Sequence, residues 1–190
     1  MAEDIIGKRF ESHSGGWFTV IRKTEKKQST AYLYEIEFDE YNGVKYKSYY
    51  TKGHINMGRG RNPYYPTVYG IGYVGNVIAS DHKYIYTRWS AMLRRCYCDT
   101  SKKHKNYRAE GITVCDRWHS FENFLNDFPL IEGYDEANLS KLDLDKDVKF
   151  FNNKIYSLEN CMLVLKDVNI RERWDRWKKS KTIENVNCEL

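Results

Sequence analysis

The stretch Leu144-Asp145-Lys146-Asp147-Val148, followed by Asn152-Asn153-Lys154-Ile155-Tyr156-Ser157-Leu158-Glu159-Asn160-Cys161, decides how this chain is expected to fold. The acids Asp145 and Asp147 close one short apolar run. A turn-rich hinge follows, then a second short run. Ser157 stands where a helix N-cap belongs, and that helix would carry Asn160. Strand, loop, strand and helix in this order predict a compact hairpin-plus-helix that could hold a divalent cation between an aspartate and an asparagine. The plainer reading is that Asp145 and Asp147 only cap a hairpin. No histidine lies near the segment in sequence, so a general base is not supplied locally.

Upstream, Asp81 is placed to cap a helix running to about Cys96. Ile85, Trp89, Met92, Leu93 and Cys96 recur at helical spacing and predict its buried stripe. Arg88 and Arg95, seven apart, share another face suited to phosphate contacts. Between residues 83 and 108 lie Lys83, Arg88, Arg94, Arg95, Lys102, Lys103, Lys105 and Arg108, against only Asp99. Such a density suits a polyanion, although a solvated helix face and loop would look the same. Residues 111–115 predict a short strand, and Ser120 a cap for a helix with Phe121, Phe124, Leu125 and Phe128 on its core side. Val168 to Trp177 reads as an aromatic, basic helix, and 181–190 as a flexible tail.

The first 78 residues predict a small antiparallel β module. Residues 16–23 and Thr30 to Phe38 alternate as strands do, with Lys26 to Ser29 as the turn. Asn42-Gly43 is a hairpin signal because both residues tolerate positive φ. Val44 to Tyr50 supplies a third strand. Met57-Gly58-Arg59-Gly60-Arg61-Asn62-Pro63 is either a linker or a loop whose amides approach phosphates while Arg59 and Arg61 supply charge. Tyr69-Gly70-Ile71-Gly72-Tyr73-Val74-Gly75 opens no helix, as a dinucleotide loop would, so it predicts an aromatic, glycine-spaced connector that docks on one or both modules.

Composition narrows the classes. Apolar residues at 41% support a packed core, and 30% charged residues keep it in water. The sequence has no apolar run of the roughly eighteen residues that a membrane span needs. The acidic start, Met1-Ala2-Glu3-Asp4, lacks a secretory pattern, which points to the cytoplasm. Five unevenly placed cysteines argue against a secreted disulfide framework. Sixteen tyrosines and five tryptophans beside a net charge of +5 suit nucleic acid, whose sugars and bases meet amphipathic rings.

Several blocks in order carry a resemblance. They are Trp89-x-x-Met92-x-x-Arg95-Cys96-Tyr97; Tyr107; Gly111-Ile112-Thr113-Val114-Cys115-Asp116-x-Trp118; Phe121-x-x-Phe124; Leu144-Asp145-Lys146-Asp147; and Asn153-Lys154-x-Tyr156-Ser157-x-Glu159-Asn160-Cys161. Together they resemble the bacteriophage HNH-type (ββα-metal) endonucleases over residues 81–170. The module at 5–75 resembles a segment that accompanies that family. The resemblance implies metal-dependent phosphodiester cleavage in DNA, within the cytoplasm of an infected bacterium. It implies Asp145 and Asn160 as ligands of magnesium or manganese. Lys146 takes the place of the family's general-base histidine. An ordinary lysine stays protonated near pH 7, so Lys146 would clamp phosphate or have its pKa depressed, and activating water would fall to Asp147 or to the cation. Cys96, Cys115 and Cys161 also fall inside these blocks, and Cys98, His104 or His119 could complete a structural zinc set.

The expected architecture is α+β: residues 1–78 as an antiparallel β module, 79–180 as an HNH-like module with flanking helices, and a tail. The expected function is a DNA endonuclease, catalysed through Asp145, Lys146, Asp147 and Asn160. Arg59, Arg61, Arg88, Arg94, Arg95, Lys102, Lys103, Lys105 and Arg108 would hold the DNA. Two rivals remain: a catalytically inactive DNA-binding protein on the same fold, acting as a regulator or inhibitor, and a protein–protein adaptor.

Overall fold

A computed structural model describes residues 4–100, 108–150 and 152–167. The expected tail helix and Lys102, Lys103, His104, Lys105 and Cys188 lie outside the described residues. The fold is mixed α+β. The chain divides into two compact units, 1–77 and 78–190.

In the N-terminal unit β1 (Arg9–Glu11), β2 (Trp17–Gln28), β3 (Ala31–Phe38) and β4 (Lys47–Thr51) form one antiparallel meander in sequence order. The strand β1 and a one-turn helix α1 (Lys52–Asn56) were not anticipated. Period-two alternation puts Tyr34, Ile36 and Phe38 on one face, where they meet Phe18, Val20, Ile5 and Ile55 of α1. On the other face Glu35 is buried but paired. Arg22 donates to it at 2.6 Å and Lys47 lies at 3.6 Å. The Arg22 hydrogen bond holds the Glu35 carboxyl below the ordinary range. Asn42 (φ 49°) and Gly43 (φ 76°) make the expected tight turn, closed by the Tyr41–Val44 pair. The first turn falls later than expected. β2 runs through Lys26 to Gln28, and the chain reverses at Ser29 and Thr30, with Ser29 at φ 56°.

The segment Met57 to Pro63 is tied back to its own unit through several of its amides. Gly58 N donates to Ile55 O at 2.9 Å, Arg59 N to His54 O at 2.9 Å, and Arg61 N to the Tyr50 hydroxyl at 3.1 Å. Gly58 sits at φ +63°, and a Cβ there would stand 2.7 Å from the Glu11 carbonyl. Close packing against β1 explains the glycine. Residues 68–72 close a second tight hairpin. Nearby Tyr64 packs between Tyr46 and Tyr73, so this connector docks on its own unit.

In the C-terminal unit a 3₁₀ turn (Ala79–His82) leads into α2 (Lys83–Tyr97). Asp81 lies inside that turn, and His82 occupies the N-cap instead. Trp89, Met92, Leu93 and Cys96 are buried as the spacing requires. The helix α3 (Phe121–Asp127) starts at Ser120, whose hydroxyl accepts from Asn123 N at 3.3 Å. Phe121 packs at a tilt against Trp89, and Phe124 meets Trp118 edge-on.

The strands here pair differently from the expected hairpin. β6 (Leu142–Asp145) pairs antiparallel with β8 (Met162–Leu165), while β7 (Ile155–Tyr156) pairs parallel with β5 (Thr113–Val114). The helix expected at Ser157 is a single turn, closed by Cys161 N donating to Ser157 O at 3.0 Å. The apolar run Met162-Leu163-Val164-Leu165 wins this segment for strand. Leu163 and Val164 are buried, and the run completes a ladder with Leu142 and Leu144. The site region is therefore strand, loop, short strand, turn, strand.

Candidate metal and nucleic-acid site

Leu142-Asp143-Leu144-Asp145 alternates cleanly, burying both leucines and leaving both aspartates half-buried. Asp145 ends the strand by accepting two backbone N–H groups on one carboxylate oxygen, from Asp147 at 2.7 Å and Val148 at 3.0 Å. This local turn competes with strand pairing and stops the ladder. Asp145 faces Met162 across the ladder, and Asn160 lies two residues before Met162. The carboxylate and the amide thus belong to the same end of the β6–β8 pair.

Asn153 organises the loop between them. Its amide nitrogen donates to the carbonyls of Lys146 (3.0 Å) and Ile155 (2.8 Å), and its oxygen accepts from Ile155 N at 3.1 Å. The Asn160 amide nitrogen reaches the same Asn153 oxygen at 3.3 Å and Ile155 O at 3.4 Å. Those bonds orient the amide group and leave the Asn160 carbonyl oxygen as its acceptor end. A carboxylate and an amide oxygen are hard donors, so the residue types suit magnesium or manganese with water completing the shell. Sequence reasoning gave Asn153 no role, although an asparagine in a hinge is itself a turn signal.

Lys146, which the resemblance puts at the place of the general base, is buried and bonded within the loop. It is 5% exposed, and its ammonium donates to Asp147 at 2.6 Å and to the Asn153 carbonyl at 2.8 Å. It therefore fastens the two ends of the loop to each other.

Arg88 departs from expectation. Instead of facing outward, its guanidinium reaches Leu142 O at 2.8 Å, Tyr84 O at 2.9 Å and Leu139 O at 3.0 Å. It ties α2 to the start of β6, and burial lowers its pKa. Arg95 is half-buried, 5.6 Å from the Tyr156 ring centre. Arg88 and Arg95 both border a cleft of about 200 Å³ with Thr87, Asp143 and Lys166. Arg108 donates to the Cys98 and Asp99 carbonyls. Arg59, Arg61 and Arg94 are exposed.

Among the described residues no group of three or more His, Cys, Asp or Glu side chains is placed to hold a metal ion. Burial pushes the Cys96 thiol up to about 11 and the Cys161 thiol up to about 12, and raises Cys115. His119 is half-buried beside Tyr97, and burial lowers its pKa. A further hub escaped sequence reading. Arg117 forms a fork on Asp127 at 2.7 and 2.8 Å, and Trp118 Nε1 donates to the same carboxylate at 2.9 Å.

The fold thus defines an α+β protein whose C-terminal unit sets an acid and an amide at one end of a two-stranded ladder. Comparison with protein-family models, with curated proteins and with solved structures finds no match for this chain. Among the described residues no helix is long and apolar enough to cross a membrane.

Proposed function

We propose that this protein is a phage-type, HNH-like DNA endonuclease acting in an infected bacterial cell, with magnesium or manganese held by Asp145 and Asn160. The observation that carries the reading is the placement of Asp145 opposite Met162, two residues past an Asn160 whose amide is oriented by Asn153. A hard cation there supplies charge stabilisation for the scissile phosphate and its leaving oxygen. Asp145 holds its place through the Asp147 and Val148 amides, and Lys146 keeps the loop closed around Asn153. Exposed Arg59, Arg61 and Arg94 supply phosphate contacts, together with Lys102, Lys103 and Lys105.

One observation favours a second reading, a DNA-binding regulator or inhibitor without catalysis. The Lys146 ammonium, which stands at the position of the family's base, is buried against Asp147. A plasmid-nicking assay separates the two. Wild-type protein is expected to nick supercoiled DNA with magnesium or manganese and to stop with chelator. Asp145→Ala and Asn160→Ala should abolish nicking while DNA affinity is retained. Wild-type protein that binds DNA but never nicks it, under either metal, establishes the second reading.

A further inference from the structure

The strands β2 and β3 run on past both of their neighbours. β1 pairs with β2 no further than Thr19, and β4 pairs with β3 no further than Leu33. Beyond those points Lys27 faces Tyr32 and Gln28 faces Ala31, and the chain turns at Ser29. Every residue from 25 to 32 is exposed. The result is a bare two-stranded ribbon with a register shift between Lys23 and Lys27, where β2 carries extra residues. Such bulges increase the right-handed twist of a ribbon.

The ribbon is basic. Residues 22–32 contain Arg22, Lys23, Lys26 and Lys27 against the single acid Glu25. Arg22 is bound to Glu35, but the three lysines stand on aromatic rings. Lys23 and Lys27 lie 3.9 and 4.5 Å from the Tyr32 ring centre, and Lys26 lies 5.7 Å from that of Tyr49. Cation–π contacts at exposed sites are weak, so they hold the ammonium groups in place without removing them from a stronger anion.

We propose that the β2–β3 ribbon enters the major groove of double-stranded DNA, with Lys23, Lys26 and Lys27 on phosphates and Gln28 at the tip facing base edges. The dimensions agree. From Leu33, where β4 pairing ends, to Ala31 before the turn the ribbon projects roughly 7 Å at about 3.4 Å per residue. The groove is about 12 Å wide and 8.5 Å deep and admits a two-stranded ribbon. The deep, narrow major groove of an RNA duplex does not, which selects DNA. A glutamine at the tip has the donor and acceptor that adenine presents in that groove. The proposal shares only its DNA partner with the endonuclease reading, because the ribbon belongs to the N-terminal unit and Asp145 to the C-terminal one.

The test is a salt titration of binding by the full chain to a DNA duplex and to an RNA duplex of the same sequence. The triple change K23Q/K26Q/K27Q should lower the salt slope on DNA by about 2.7, at about 0.9 per phosphate contact. The triple change to arginine should keep the slope, and circular dichroism should show both variants folded. Gln28→Ala should alter the preferred sequence in a binding-site selection while leaving the slope unchanged. A glutamine variant with the wild-type slope, equal binding to the RNA duplex, or no DNA binding by the wild type would each overturn the ribbon. Slope loss in a protein that never nicks DNA would support the ribbon and remove only the endonuclease reading.

Discussion

Lys23, Lys26 and Lys27 of the N-terminal unit stand in solvent on a bare ribbon, whereas Arg88 and Lys146 of the C-terminal unit are drawn inward onto carbonyls and a carboxylate. Both sets look alike in sequence as basic residues among aromatics. The difference lies in what each unit lacks. The meander satisfies its own backbone through long ladders, so its charges are left over for the surface. Among its described residues the C-terminal unit has only two- and four-residue strands, and the carbonyls of Leu139, Leu142 and Asn153 take side-chain cations. Cations on neighbouring elements satisfy them. A charge cluster beside short strands is therefore weaker testimony for a ligand than the same cluster beside long ones.

The sharpest way to break this contrast is to exchange Arg88 and Arg94, both on α2 but on different faces, for alanine in turn. Arg88→Ala strands the Leu139 and Leu142 carbonyls and should cost about 3 kcal/mol, because hydrogen bonds to charged groups contribute roughly 1.5–3 kcal/mol and buried acceptors are left unmet. Arg94→Ala should stay within about 0.5 kcal/mol, as exposed substitutions do. Urea unfolding measures both, and equal costs would erase the distinction.

Gly58→Ala probes the N-terminal unit. A Cβ placed 2.7 Å from Glu11 O at φ +63° should cost about 2 kcal/mol, since left-handed strain alone contributes roughly 1 kcal/mol or more. A stable variant would mean that the turn shifts freely.

The smallest effect concerns pH. The Arg117 fork holds the Asp127 carboxyl below its ordinary 3.8. A carboxylate with a lowered folded pKa contributes stability above its unfolded value and loses it as pH falls through the folded one. Asp127→Asn should therefore lie about 1–2 kcal/mol below wild type at neutral pH, the scale of a charged hydrogen bond. The gap should narrow below about pH 4. A gap that does not change with pH would assign the loss to Trp118 Nε1 rather than to charge.

What could be read in advance follows the range of the forces involved. The Asn42-Gly43 turn, the Ser120 cap and the Trp89 to Cys96 stripe are local, and their residues announce them. The strand β1 has only three residues and left no periodicity to detect. Ser157 carried a genuine cap signal, but pairing of Met162 to Leu165 with a strand some twenty positions away overrode it. Of the candidate site, Asp145 and Asn160 were legible as residue types. Asn153 and the inward turn of Lys146 were not, because their bonds depend on where the loop returns.

The pairing of Thr113 with Ile155 has a consequence for synthesis. Each strand of the N-terminal meander finds its partner in the next segment to leave the ribosome, so that sheet can close as it emerges. β5 has to wait until nearly the whole helical part of its unit has been made, and Leu142 to Asp145 wait for Met162 onward. Contacts so distant in sequence form slowly. A chain cut short before Ile155 would hold a finished sheet beside a C-terminal unit whose Val114, Leu142 and Leu144 remain uncovered, which is the material from which aggregates and protease substrates are drawn.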